Sequence, residues 1–301
     1  MKKALVIYYS QTGQACEIAE AVTLPLKAGF EVQFEELQPD PPFPFPWKGI
    51  SFFQTFPESV QEIPCKLKPF SFDRDENYDL VILAFQTWYL SPSIPMNSFL
   101  QSPEAKRLLK NKPVVTIQGC RNMWAMAQER IKLRILEAGG RLVGNIVLVD
   151  RHPNLISVIT IVRWMTTGKK ERSRWFPAAG VPEKEIRDTS QFGEVILDAF
   201  QNDRLNELQD KLLEMGAVCI DPVLISIERR GIMMFRIWSR FILKKGVYGC
   251  EARTGRLKLF KYYLFAVIFL ISPVVSLLFS IIHRVNPARA KRMIRYYSGV
   301  G

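Results

Sequence analysis

Hydrophobic positions along the chain fall into two patterns. Short unbroken apolar runs read as strands buried on both faces, and stretches with apolar residues four apart read as amphipathic helices. The first run, Ala4 to Tyr9 (ALVIYY), leads through Ser10-Gln11-Thr12-Gly13-Gln14 into a helix from about Ala15, where Ile18, Val22 and Leu26 share a face. Glu31 to Leu37 alternates apolar and acidic residues, as a strand nearer a sheet edge does. Tyr78 to Phe85, Lys112 to Gln118 and Leu142 to Val149 give three more strands. A long loop, Gln86 to Pro95, follows the third strand. Gly119-Cys120-Arg121-Asn122 leads from the fourth into a helix that Gly139-Gly140 ends with a left-handed cap. Strands alternating with helices predict an α/β fold, a doubly wound five-stranded parallel sheet of flavodoxin-like order over residues 1–153.

Past residue 153 the pattern changes. Residues 154–221 read as a helical extension: a helix at Asn154 to Thr167, a basic loop at Lys169–Arg174, and two helices over Asp188 to Met215 broken near Asn202-Asp203. Residues 222–301 begin with a basic amphipathic helix, Pro222 to Leu243, carrying Met234, Ile237, Trp238 and Phe241 among arginines. That composition suits a membrane interface or a charged helix packed on the domain. Tyr262 to Ile282 then runs 21 residues without a charge, about 31 Å as a helix and long enough for a bilayer. Basic residues flank it on both sides, and Ser272-Pro273 stands at its midpoint. A bent or re-entrant anchor that returns both flanks to the cytoplasm is therefore expected over a straight span.

Charge sharpens that reading. Residues 222–301 hold 15 Lys and Arg against 2 Glu, a net +13, whereas the rest of the chain nets −1. Basic charge around so apolar a segment points to anionic lipid rather than nucleic acid. The five cysteines are scattered and never in CxxC spacing, so neither a disulfide framework nor a metal site is expected. No signal peptide is expected before the first strand. The predicted location is the cytoplasmic face of the inner membrane.

In a doubly wound sheet the ligand lies outside the carboxyl ends of the strands, where the strand order switches. Three loops converge there. Ser10, Gln11, Thr12, Gly13, Gln14 and Ala15 place hydroxyls and backbone N–H groups at a helix N-terminus, where a phosphate is favoured; the plainer reading is a strand–helix turn capped by Thr12. Thr87, Trp88, Tyr89 and Leu90 bring aromatic faces that stack on a flat heterocycle. Gly119, Cys120, Arg121 and Asn122 add amides and a cation. Together they describe an FMN site, and no strand is followed by the GxGxxG of a dinucleotide site. Pro39 to Trp47 carries five prolines in residues 39–46 and is a stiff apolar arm, either packed over the core or forming one wall of a site. His152, in Asp150-Arg151-His152-Pro153, is the one histidine expected near the crevice and the candidate catalytic base.

Tyr9-Ser10-Gln11-Thr12-Gly13-Gln14 resembles the phosphate loop of flavodoxins and FMN reductases, with Ala15 where that pattern has its last hydroxyl. PPFPFPW at 41–47, LSPSIP at 90–95, GCRNMW at 119–124 and EAGGRLVGNIVLVDRHPNLIS at 137–157 resemble the bacterial dialkylresorcinol condensing enzyme family. That resemblance implies a place in dialkylresorcinol or aryl-polyene lipid biosynthesis, with a ketosynthase and an acyl carrier protein as partners and a homodimer as a possible assembly. Carbon–carbon condensation needs an activated nucleophilic Cys, and this chain gathers none. The expectation is an FMN-dependent oxidoreductase that aromatises a hydrophobic alkylated cyclohexenone-like ring at the membrane. Two alternatives stand beside it: an NAD(P)H-dependent quinone or FMN reductase or electron carrier, and a non-catalytic membrane scaffold.

Overall fold

The computed structural model describes residues 1–301. Its sheet contains β1 (Lys2–Tyr8), β2 (Phe30–Glu36), β3 (Leu80–Trp88), β4 (Ser91–Pro92), β5 (Pro113–Cys120) and β6 (Arg141–Val149). The order is β2-β1-β3-β5-β6, parallel throughout, with the two-residue β4 antiparallel to the end of β3. Leaving β4 aside, this is the flavodoxin-like order, with β2 on the edge.

The helices are α1 (Gln14–Thr23), α2 (Ser51–Gln54), α3 (Phe56–Gln61), α4 (Ile94–Leu100), α5 (Pro103–Leu109), α6 (Ala125–Glu137), α7 (Asn154–Thr167), α8 (Glu183–Asp188), α9 (Ser190–Gln201), α10 (Leu208–Glu214), α11 (Pro222–Leu243), α12 (Thr254–Ala266), α13 (Ser272–Val285) and α14 (Pro287–Ser298). Side chains alternate across each strand, so Ala4 and Val6 face one layer while Leu5 and Ile7 face the other. Both sets are fully buried, which is why β1 reads as an unbroken apolar run. On one face the sheet packs against α1; on the other it packs against α4, α5 and α6.

Helices α8–α10 lie on the α1 face, where Ile186, Phe192, Ile196, Leu208 and Leu212 join the same core cluster as Val6, Ile82 and Ile117. The hydrophobic core therefore continues across residue 153. Between the predicted third strand and Pro95 the chain differs from the expected long loop. Strand β3 runs on to Trp88 and returns through β4. Tyr89 and Leu90 form the connection at φ 50° and 61°, the pair of left-handed residues that a tight hairpin turn demands.

Ser272-Pro273 does not reverse the chain. Residues Glu251–Val285 form one continuous 35-residue helix, long and apolar enough to cross a membrane. It absorbs Pro273 through a π-helical turn at Val267–Ile271, a widening that accommodates the ring and the missing N–H donor. The helix runs antiparallel to α11: Arg256 lies over the Phe241 ring, Trp238 packs on Phe260 and Tyr263, and Ser226 Oγ is 3.0 Å from His283 Nε2. Its start is clamped to the domain by a buried ion pair, with Arg253 Nη1 and Nη2 at 2.7 and 2.9 Å from Glu58 Oε1 and Oε2. Phe56 stacks on Phe260 beside that pair.

Candidate functional site

The crevice at the carboxyl ends of β1, β3 and β5 is built first by the turn between β1 and α1. Gly13, at φ 86°, swings the chain into the helix, a conformation that glycine adopts without strain. Ser10 Oγ accepts the Ala15 N–H at 3.1 Å, so the turn caps its own helix. The N–H groups of Gln11, Thr12, Gly13 and Gln14 and the Thr12 hydroxyl have no partner within the protein. Unpaired donors at a helix N-terminus form an anion site, and phosphate is the natural occupant.

Gln14 plays a different part from the contact expected of it. Its side chain is buried, donating from Nε2 to Val181 O and accepting from Val181 N, each at 3.0 Å. The neighbouring Gly180 allows this approach, since a Cβ there would stand 2.7 Å from Gln14 Oε1 and 2.8 Å from Trp164. Gln14 thereby ties the segment around residue 181 to the phosphate turn. The basic loop is near as well, with Lys170 Nζ 4.0 Å from Glu17 in the first turn of α1.

A cavity of about 140 Å³ opens beside this turn. Gln11, Thr12, Gln14 and Ala15 line one end, Thr87 and Trp88 the side, and Gly119, Cys120 and Arg121 the third wall. The proline-rich arm completes it with Phe45 and Trp47, so the arm is both packed and part of the wall: Trp47 is buried, its N–H donates to Met165 O at 2.7 Å, and its ring meets Trp88 edge-on. Ile161, Trp164 and Met165 of α7, together with Gly180, close the remaining side. Phe52, Ile161, Trp164, Met165 and Gly180 are the part of the lining that sequence reading did not assign to the site. Trp164 and Met165 read only as one face of a helix, and nothing local marks Gly180 as a neighbour of Gln14.

Several expected contacts lie elsewhere. Tyr89 turns away from the cavity because its φ-positive backbone directs the ring into the aromatic cluster of Phe52, Phe56 and Phe235, where its hydroxyl donates to Phe52 O at 3.2 Å. Burial in that cluster pushes the Tyr89 phenol pKa up. Leu90 packs with it. Asn122 donates to Asn154 Oδ1 at 2.9 Å and does not line the cavity. Ser10 and Gly13 shape the turn from outside it. His152 also stands off: Asp150, itself buried, holds the ring Nδ1 at 2.7 Å and the His152 N–H at 2.9 Å through Oδ1, and accepts from Ser157 Oγ at 2.7 Å through Oδ2. This network fixes the start of α7.

The chemistry of the remaining groups is defined by burial. Cys120 is held as a neutral thiol, its pKa pushed up chiefly by burial. Arg121 Nη1 bonds to the side chain of Asn154, which steers the guanidinium to the cavity wall. Thr87 Oγ1 is buried with no partner, and an orphaned hydroxyl in a cavity wall calls for a ligand acceptor or donor. No cluster of His, Cys, Asp and Glu suits a metal ion.

These groups fit a flavin nucleotide. The free amides suit its phosphate, Trp88 and Trp47 its ring, and Thr87 a ring heteroatom. At about 140 Å³ the cavity is tighter than the roughly 300–1,000 Å³ of ordinary small-molecule sites. Phe45 is the most exposed large apolar side chain of that lining, at 36%.

No protein-family profile and no curated protein matches the chain in sequence. Among solved structures it is similar to a flavoprotein from Lactobacillus acidophilus in complex with FMN (17% identity, 49% of this chain and 93% of that one, TM-score 0.41). It is also similar to a flavodoxin from the domain Archaea (15% identity, 66% and 99%, TM-score 0.39) and to flavodoxin 1 from Bacillus cereus (14% identity, 64% and 95%, TM-score 0.35). The strand order carries the fold assignment by itself.

Proposed function

We propose that this chain is a membrane-associated FMN-dependent oxidoreductase that acts on an alkylated ring. The observation that carries the reading is one cavity with two matched ends. At one end are the unpaired donors of Gln11, Thr12 and Gln14; at the other are Trp88, Trp47 and the partnerless Thr87 hydroxyl. The α1 amides would hold the phosphate, and Trp88 and Trp47 would bound the ring. FMN bound there supplies a two-electron acceptor for hydride. The protein's own part is to exclude water with its tryptophans and to present Arg121, whose cation stabilises an enolate or phenolate oxygen. His152 lines neither this cavity nor the one beside it, so the reading gives it no role.

The resemblance stated above favours removal of two hydrogens, as a hydride and a proton, from an alkylated 3-hydroxy-cyclohexenone (the enol of a cyclohexane-1,3-dione) to leave a dialkylresorcinol-type aromatic ring. Partnership with a ketosynthase and an acyl carrier protein belongs to the same proposal. The location is the cytoplasmic face of the inner membrane, with the long helix lying along the surface. Its inward side packs on α11 over its length, so a straight crossing would draw the domain into hydrocarbon. The outward side exposes Leu270, Val274, Leu277 and Ile281. Anaerobic mixing of the FMN-loaded protein with a 2,5-dialkyl-3-hydroxy-cyclohexenone tests the reaction. Bleaching of the flavin with appearance of the aromatic product is expected; bleaching by NADPH with quinone turnover, and none by the cyclohexenone, would assign a quinone reductase instead.

A further inference from the structure

A second cavity of about 290 Å³ lies against the first. The two share Phe52, Thr87, Cys120, Arg121, Ile161 and Met165. From that common floor the second cavity extends between three elements: Val158 and Val162 of α7, Ile227 and Phe235 of α11, and Leu264 and Ile268 of the long helix. Arg121 is the one charged side chain in its lining. Its outer edge borders an exposed apolar surface, where Val162 is 36% exposed and the neighbouring Leu270 and Ile271 are 71% and 51% exposed. The π-helical turn at Val267–Ile271 forms this edge, a distortion frequent at functional sites.

From this geometry we infer that the second cavity binds the alkyl chain of an amphiphilic substrate that enters sideways from the bilayer and places its polar head at Arg121. The inference rests on the flavin reading for the identity of the first cavity. A largely apolar space offers water few partners, and a water-soluble substrate would gain little from it. The occupant must be apolar along most of its length, narrow enough to pass between three helices, and polar at the end that meets Arg121. One alkyl arm of a lipid with a carbonyl or hydroxyl ring head meets those requirements.

The test uses the full chain in nanodiscs of phosphatidylethanolamine and phosphatidylglycerol. A series of 2-alkyl-cyclohexane-1,3-diones, methyl to dodecyl, is titrated and followed by perturbation of the FMN absorbance. Affinity should rise with chain length by up to about fourfold per methylene, the value for complete burial, and then level off. Val158→Trp and Ile227→Trp, which fill the cavity, should abolish the gain of dodecyl over methyl. In parallel, a dodecyl analogue with a mid-chain diazirine is photolysed with protein made with and without FMN; adducts should fall on α7, α11 and residues 264–272. Affinity independent of chain length, an undiminished dodecyl preference in both variants, or adducts confined to other surfaces would overturn the inference. Because photolabelling needs no flavin, labelling of these elements in a protein that binds no FMN would sink the oxidoreductase reading and leave the chain site standing. If the tryptophan variants do not fold, the adduct positions in the unaltered protein decide.

Discussion

Glu228 shows how one side chain fastens the basic helix to the sheet domain. It is buried on α11, and its carboxylate accepts from Trp124 N at 3.1 Å and Met126 N at 3.0 Å at the start of α6. Burial raises its pKa from 4.5 to about 8 against the opposing pull of those amides and of Arg121. The folded protein then keeps a proton that the unfolded chain releases, so this group favours folding less as pH rises from about 4.5 to 8. The thermal midpoint should fall across pH 5–8, with a smaller fall in Glu228→Gln; equal slopes in the two proteins would refute the assignment. Arg253 is the second fastening point, fully buried against Glu58. Arg253→Ala should lower stability by about 3–5 kcal/mol in urea unfolding because it strands a buried carboxylate. A loss below about 1 kcal/mol would mean that the pair carries little of the attachment. Neither role is legible in the sequence, where Glu228 and Arg253 are two charges in a basic tail and their partners lie 104 and 195 residues away.

At the scale of elements, the turn between β1 and α1 was the most legible feature. Its hydroxyls, glycine and flanking apolar runs are all local. What the sequence could not supply was the division of labour within it, since Gln14 reaches across to Val181 and only tertiary structure brings residue 181 there. Gly13→Ala should cost about 1–2 kcal/mol in the left-handed turn and raise the FMN Kd about tenfold. Gly49→Ala, also at positive φ but with open space around it, should leave the Kd unchanged. Equal Kd values in all three proteins would remove the turn from the site. Tyr89 teaches the opposite lesson. Adjacent aromatics suggested a stacking pair, but the tight return after β3 sends consecutive side chains apart, Trp88 to the cavity and Tyr89 into the cluster.

For the molecule as a whole, five unbroken or alternating apolar runs gave the sheet, because strands buried on both faces advertise themselves in composition. The extent of the core was less legible. Helices α8–α10 carry amphipathic patterns that do not say which surface they cover, and they prove to share the sheet's own cluster. The long helix was visible as 21 uncharged residues, but its course was not: Pro273 suggested a reversal, and a π-turn keeps it straight enough to run beside α11. Leu277, 63% exposed on that helix, gives a direct probe of membrane contact. Leu277→Arg should weaken binding to anionic vesicles on the order of tenfold without changing the FMN Kd. Unchanged vesicle binding would place the lipid contact elsewhere.

The central claim is that the crevice beside α1 holds FMN, and stoichiometry tests it most directly. The full chain, purified in detergent and denatured by heat, should release about one equivalent of FMN, identified by chromatography and fluorescence. Protein isolated without flavin should quench added FMN fluorescence at a one-to-one end point. A colourless protein that neither quenches FMN nor gains thermal stability from it would contradict the account.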